Sequence, residues 1–197
     1  TSTQVQTLSS NQLNALSAQQ IRGLTTSFIA TLLSEQLQSL TVQNIAYLQP
    51  SQWAAITTDQ LLALGSSQLQ QISASSLAAM STEQIAALDT SQVAALTGLQ
   101  ISKLSTTQVL NMRTDQIASL ETRDLNVLSA TQMASLRTDQ LVALGTQQAT
   151  ALTSGQIRAL STMQVQAMED GDLAVLSSAQ LQGLSSLQVA ALQTAQV

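Results

Sequence analysis

From Leu8 to Leu192 an apolar residue stands at every eighth position, and no step lands on a polar one. Leu fills 19 of these 24 positions, the exceptions being Ile56, Ile72, Met80, Met112 and Met168. A second register, running from Val5 to Val197, is apolar at all 25 of its positions, with Trp53 and Ala149 as its outliers in size. A third, from Gln4 to Gln196, is Gln at 20 of 25 and departs at Phe28, Asn44, Ser76, Asp124 and Asp172. No insertion or deletion disturbs the phase. Each octad therefore reads Ser/Thr, Ser/Thr, any residue, Gln, Leu/Ile/Val, any residue, Ala, Leu. A fixed short period of this kind predicts a solenoid, in which a unit too small to bury its own apolar face does so by stacking on its neighbours.

The spacing of the registers separates helix from strand. Side chains on one face of a strand are an even number of residues apart. Here the apolar positions are three and then five apart, which would scatter them over both faces. A separation of three puts both on one face of a helix, and the Ala between them favours helix. One continuous helix is excluded as well, because eight residues overshoot two turns by about 80° and the stripe would wind around the cylinder. The helix has to restart in every octad.

Restart signals are present. Ser or Thr occupies the first octad position 15 times in 25 and the second 18 times in 25. At either place the hydroxyl can accept from an orphan N–H, so the hydroxyls leave both positions open as the cap. A first-position hydroxyl followed by Gln at the fourth is a capping box, with Pro50 then at the first helical position. All 11 acidic residues (Glu35, Asp59, Glu83, Asp89, Asp115, Glu121, Asp124, Asp139, Glu169, Asp170, Asp172) fall in octad positions one to four, the positive end of each small helix dipole. Helices this short are marginal alone and need tertiary stacking. A helix of about six residues is ~9 Å long, so three octads per superhelical turn close around a centre that their apolar side chains can fill. The fold expected is all-α, a solenoid with one short helix per eight-residue repeat and three repeats per turn. It is expected to run as one continuous unit over 1–197, as a segment of a longer array.

Composition excludes several functions. Only six basic residues occur (Arg22, Lys103, Arg113, Arg123, Arg137, Arg158), widely scattered in a chain of net charge −5, so no patch exists to neutralise a phosphate backbone. The longest apolar runs are a few residues, against the roughly 20 needed to cross a bilayer. There is no His and no Cys, a single Lys and no Gly-rich phosphate loop. Abundant hydroxyls thus have no base to activate them, and the chain is not expected to be an enzyme or to carry a catalytic, cofactor or metal site.

Four features of the sequence offer site chemistry, and each also has a structural role. The Gln column is expected to satisfy backbone groups of its own or the adjacent turn. Asp124 and Asp172, with Glu121, Glu169 and Asp170, carry oxygens suited to calcium but no loop motif, and are expected to be solvated helix-start acids. Tyr47 and Trp53 offer an aromatic contact surface, yet Trp53 stands in a core register and is expected to pack there. The Ser/Thr columns offer hydroxyls to ice or glycans, yet capping accounts for them. Phe28, Ser76, Asp124 and Asp172 lie 48 residues apart, six octads.

Units such as "STEQIAAL" (81–88), "TTDQLLAL" (57–64) and "SSAQLQGL" (177–184) resemble the Leu/Gln-rich short repeats of very long bacterial secreted or cell-surface proteins, adhesin-like in character. The resemblance covers the whole chain. It implies an extracellular structural or adhesive role at a bacterial cell surface, a fibre or rod-like element with the chain itself as partner by end-to-end or lateral assembly. Contact with the cell surface or glycans is a further implication, and no nucleic acid partner or membrane insertion is expected. The alternative is a repeat scaffold that binds glycan, calcium or ice through its Ser/Thr/Gln columns.

Overall fold

The computed structural model describes residues 2–192; Thr1, Gln196 and Val197, which complete the registers, lie outside them. Among the described residues there are 24 helices of four to six residues, one per octad, and no strand. They are numbered from α1 (Ser2–Gln6) to α24 (Ser186–Ala191). The octad explains both ends of each. From Ser9 onward the first octad position is the N-cap throughout, as at Thr57, whose backbone is extended (φ −75°, ψ 160°) and whose hydroxyl accepts from the Gln60 N–H. This settles the choice between positions one and two. The second position is the first helical residue, and Pro50 opens α7 (Pro50–Trp53) there without losing a hydrogen bond.

Position eight ends the helix. Its N–H closes a tight bond to the position-five carbonyl, as in Leu64 to Leu61 at 3.1 Å. Its own backbone is extended, for example φ −54°, ψ 137° at Leu88. Two extended residues in succession, position eight and the next N-cap, make each corner. No described residue has positive φ. The corner therefore needs no glycine, which is why octads of almost any outer sequence turn alike.

The chain divides into two compact units, Thr1–Leu104 and Ser105–Val197. In the first, helices pack on the third one along: α7 on α10 (Ala74–Ala78), α8 (Thr58–Leu62) on α11 (Thr82–Ala87). The second repeats the rule, with α17 (Ala130–Ala134) on α20 (Ser154–Ala159) and α21 (Thr162–Ala167) on α24. Three octads thus make one turn, the solenoid expected from the period. Positions five and eight fill the centre of each unit: Ile29, Leu37, Ile45, Trp53 and Leu88 are fully buried in the first, Ile117, Leu125, Met133 and Ile157 in the second. Each such side chain contributes about 1.5–3 kcal/mol relative to exposure. In the last two described octads the fifth position opens, with Leu181 and Val189 exposed.

Candidate functional site

The residue that organises the surface between turns is Gln at position four. Its Oε1 accepts the N–H of its own N-cap residue, 2.8 Å from Thr57 to Gln60 and 2.7 Å from Ser161 to Gln164. This half of the capping box works whatever side chain the cap carries, since Leu33, Gly65, Arg113, Arg137 and Gly145 donate their N–H to Gln36, Gln68, Gln116, Gln140 and Gln148 in the same way. The amide Nε2 then points to the corner one turn below. Gln60 donates to Ile29 O at 3.0 Å and Leu32 O at 2.6 Å, Gln84 to Trp53 O and Ile56 O, Gln100 to Leu69 O and Ile72 O. In the second unit Gln140, Gln156, Gln180 and Gln188 repeat the pattern, reaching carbonyls 31 and 28 residues back.

Each rung thus satisfies one N–H at its own helix start and two carbonyls at the helix end beneath. These are the groups that short helices leave orphaned in greatest proportion. The expectation that the Gln column serves the backbone holds, and these amides are buried and engaged rather than displayed. Among the described residues, the Gln12 and Gln20 side chains of the first turn bond only to their own N-cap residues, and both are exposed.

Departures from Gln are handled individually. Asn44 is too short for both tasks, and Asn14 from below takes over: its Oδ1 accepts the Thr41 N–H at 2.9 Å and its Nδ2 donates to Ser39 O at 2.8 Å. Asn44 itself donates to Asn14 O at 3.3 Å. Ser76 is fully buried and accepts from the hydroxyl of its own N-cap, Ser73, at 2.7 Å. Phe28 is half-buried.

Asp124 and Asp172 are not the solvated acids expected. They are 1% and 4% exposed, because position four faces the corner beneath rather than water. Both oxygens of Asp124 lack a hydrogen-bond partner, and the nearest cation, the exposed Arg123, stands 3.7 Å away. Burial pushes the Asp124 carboxyl above its ordinary value and Glu121 adds to this, while Arg123 opposes it. Burial likewise raises Asp172, helped by the charge of Glu169. Glu121, Glu169 and Asp170 themselves are exposed at the outer face. Among the described residues no three acidic side chains converge to hold a metal ion.

Charges elsewhere dress the rim of the corners. Arg113 pairs with Asp115 at 3.0 Å and Arg137 with Asp139 at 2.9 Å, on the stacked helices α15 (Thr114–Ala118) and α18 (Thr138–Val142). The guanidinium hydrogen bond is the main cause holding each of these aspartates below the usual carboxylate range. Arg137 also donates to the carbonyl of Leu110 in the corner below. Trp53 lies in the core, as expected, while Tyr47 is half-buried, bonded at its hydroxyl by Gln43 and covered by the Arg22 guanidinium 5.6 Å from the ring centre.

Capped octads, three to a turn, joined by buried amide rungs define a repeat protein of the short-helix solenoid class. The chain belongs to the ALTTAQ repeat family, which matches residues 62–98, 117–154 and 165–197, more than half of its length. Read as one-letter codes, that family name spans octad positions seven to four, as Ala159-Leu160-Ser161-Thr162-Met163-Gln164 does here. It therefore names the corner and its rung. No curated protein matches the chain. No described helix is long and apolar enough to cross a membrane.

Proposed function

We propose that the chain is a structural element whose turns stack into a fibre or rod-like surface or adhesive body, at work outside a bacterial cell. The reading is supported by one observation above all: within each unit, a turn offers amide donors to the turn below and corner carbonyls that accept from the turn above. A surface that is its own complement extends by adding more of itself, within one chain or between copies. Such head-to-tail contacts do not close on themselves and so give filaments rather than rings. The buried fraction of each octad is spent on this stacking, and the outer positions vary freely in size and charge. Electron microscopy of the native, full-length material tests the proposal. Filaments with a continuous fine repeat along their length are expected; discrete compact particles at high protein concentration contradict it.

A further inference from the structure

The ladder has a rung in the second unit that is chemically inverted. At Gln164 and Gln180, on either side of it in sequence, Nε2 lies 2.7 Å from Leu136 O and Leu152 O respectively, and Gln180 also reaches Ala149 O at 2.9 Å. By the same 28- and 31-residue steps, Asp172 is the counterpart in this column for the carbonyls of Leu144 and Leu141. Its helix α22 (Asp170–Ala174) packs on α19 (Thr146–Ala151), and a Cβ added to Gly171 would stand 3.9 Å from Thr146 Cγ2, which fixes the register of the stack. Where the other rungs present an NH2 to two carbonyl oxygens, this one presents a carboxylate.

An acceptor thus stands where the intact rungs carry a donor. Asp172 is 4% exposed, and no side-chain hydrogen bond to its carboxylate is found among the described residues. Its charged neighbour is another acid, Glu169, whose side chain does not cap α22. The stacked helix α19 carries no charged residue, and Asp170 points to solvent at the rim. Asp is one methylene shorter than Gln, so its carboxylate reaches less far toward those carbonyls than an amide nitrogen does. A buried unpaired carboxylate is costly and takes a counter-charge where one fits.

We propose that this corner binds one divalent hard cation of calcium's size, held by the Asp172 carboxylate and the main-chain carbonyls of Leu141 and Leu144, with water completing the shell. The chemistry is consistent. Calcium takes six to eight oxygens, carboxylate and backbone carbonyl among them, at 2.3–2.6 Å, somewhat inside the amide distances of the intact rungs. The ion replaces the missing NH2, and the turn-to-turn joint is restored by coordination. Asp124 is the internal contrast, since Arg123 beside it already supplies positive charge. With a single carboxylate the affinity is expected to be that of a weak module, Kd of about 10⁻⁴–10⁻³ M.

The probe is calcium chloride added to chelator-treated protein, read by titration calorimetry and thermal unfolding. One site per chain is expected, with Tm rising by about 3 °C at tenfold over Kd. Asp172→Gln, which restores the donor, is expected to fold and to lose both the heat and the shift, as is Asp172→Asn. Asp124→Asn should keep them. The proposal is overturned by a wild-type Tm that does not move, by a shift that persists in Asp172→Gln, or by an equal shift in sodium chloride of matched ionic strength.

Discussion

Gln60 and Leu32 stand 28 residues apart and meet through a 2.6 Å hydrogen bond from the Gln60 amide to the Leu32 carbonyl. The same side chain accepts the Thr57 N–H at 2.8 Å. One residue therefore closes the start of its own helix and the end of a helix one turn below. Leu, Ile and Val fill the centre, but apolar packing is non-directional and would tolerate slippage between turns. Buried amides with two fixed acceptors do not. Unmade, each such bond leaves a buried polar group costing about 1–3 kcal/mol, so the rungs penalise any other stacking register.

The assignment of faces is tested by two substitutions in one octad. Leu128 is 4% exposed and Asn126 lies on the outer face. Leu128→Asp is expected to cost about 3–5 kcal/mol, as an uncompensated buried charge does, whereas Asn126→Asp stays within about 0.5 kcal/mol. Denaturant unfolding followed by circular dichroism separates them; equal effects contradict the faces described.

Without calcium, Asp172→Gln is expected to stabilise the protein by about 1–3 kcal/mol at neutral pH. The sign of the pH dependence follows from the raised Asp172 carboxyl. A group whose pKa is higher folded than unfolded favours the folded state when protonated; that contribution is full below the unfolded carboxylate value and is lost as pH rises through the folded one. The advantage of the variant should therefore shrink as pH falls through the carboxylate range. Asp115 and Asp139, held low by Arg113 and Arg137, act in the opposite sense in both proteins and cancel in the difference. Stability curves of the two proteins against pH in chelator read the effect, and a constant difference would refute it.

Much of this was legible in the sequence, because the octad is short and its registers never slip. Apolar positions three and five apart forced a restarting helix, and helix length forced three octads per turn. The hydroxyls alone left the cap between positions one and two, since small polar residues suit both the cap and an exposed first helical position; backbone geometry chose the first. The far end of each rung was out of reach. Its acceptors are main-chain carbonyls, such as Leu125 O and Leu128 O under Gln156, and no residue type marks a carbonyl. Asp124 and Asp172 were read as surface acids because helix starts attract acids. The usable signal was their column: in a register where most rungs are buried amide donors, an acid is an anomaly rather than a cap.

Gly183 stands where close approach demands a glycine. A Cβ there would lie 2.7 Å from the Ser154 carbonyl oxygen and 2.9 Å from that of Gln180, both backbone atoms. Gly183→Ala should destabilise by about 1–3 kcal/mol, the usual range for overpacking. At Gly145 nothing lies within 4 Å of an added Cβ, and Gly145→Ala should come out near neutral. Thermal unfolding of the pair distinguishes a packed turn from a loosely laid one.

The most direct test of the amide ladder is Gln156→Glu, which keeps the shape and the Oε1 acceptor for the Thr153 N–H and removes only the donors to Leu125 O and Leu128 O at 2.6 and 2.8 Å. Its control is Gln20→Glu, exposed and making only the cap bond to Ser17. At pH 7 the first is expected to lose about 3 kcal/mol or more of unfolding free energy, from a buried carboxylate facing two carbonyls. The second should change it by less than about 0.5 kcal/mol, a carboxylate at a helix start being favourable. Near-equal values for the two variants would contradict the ladder as the joint between turns.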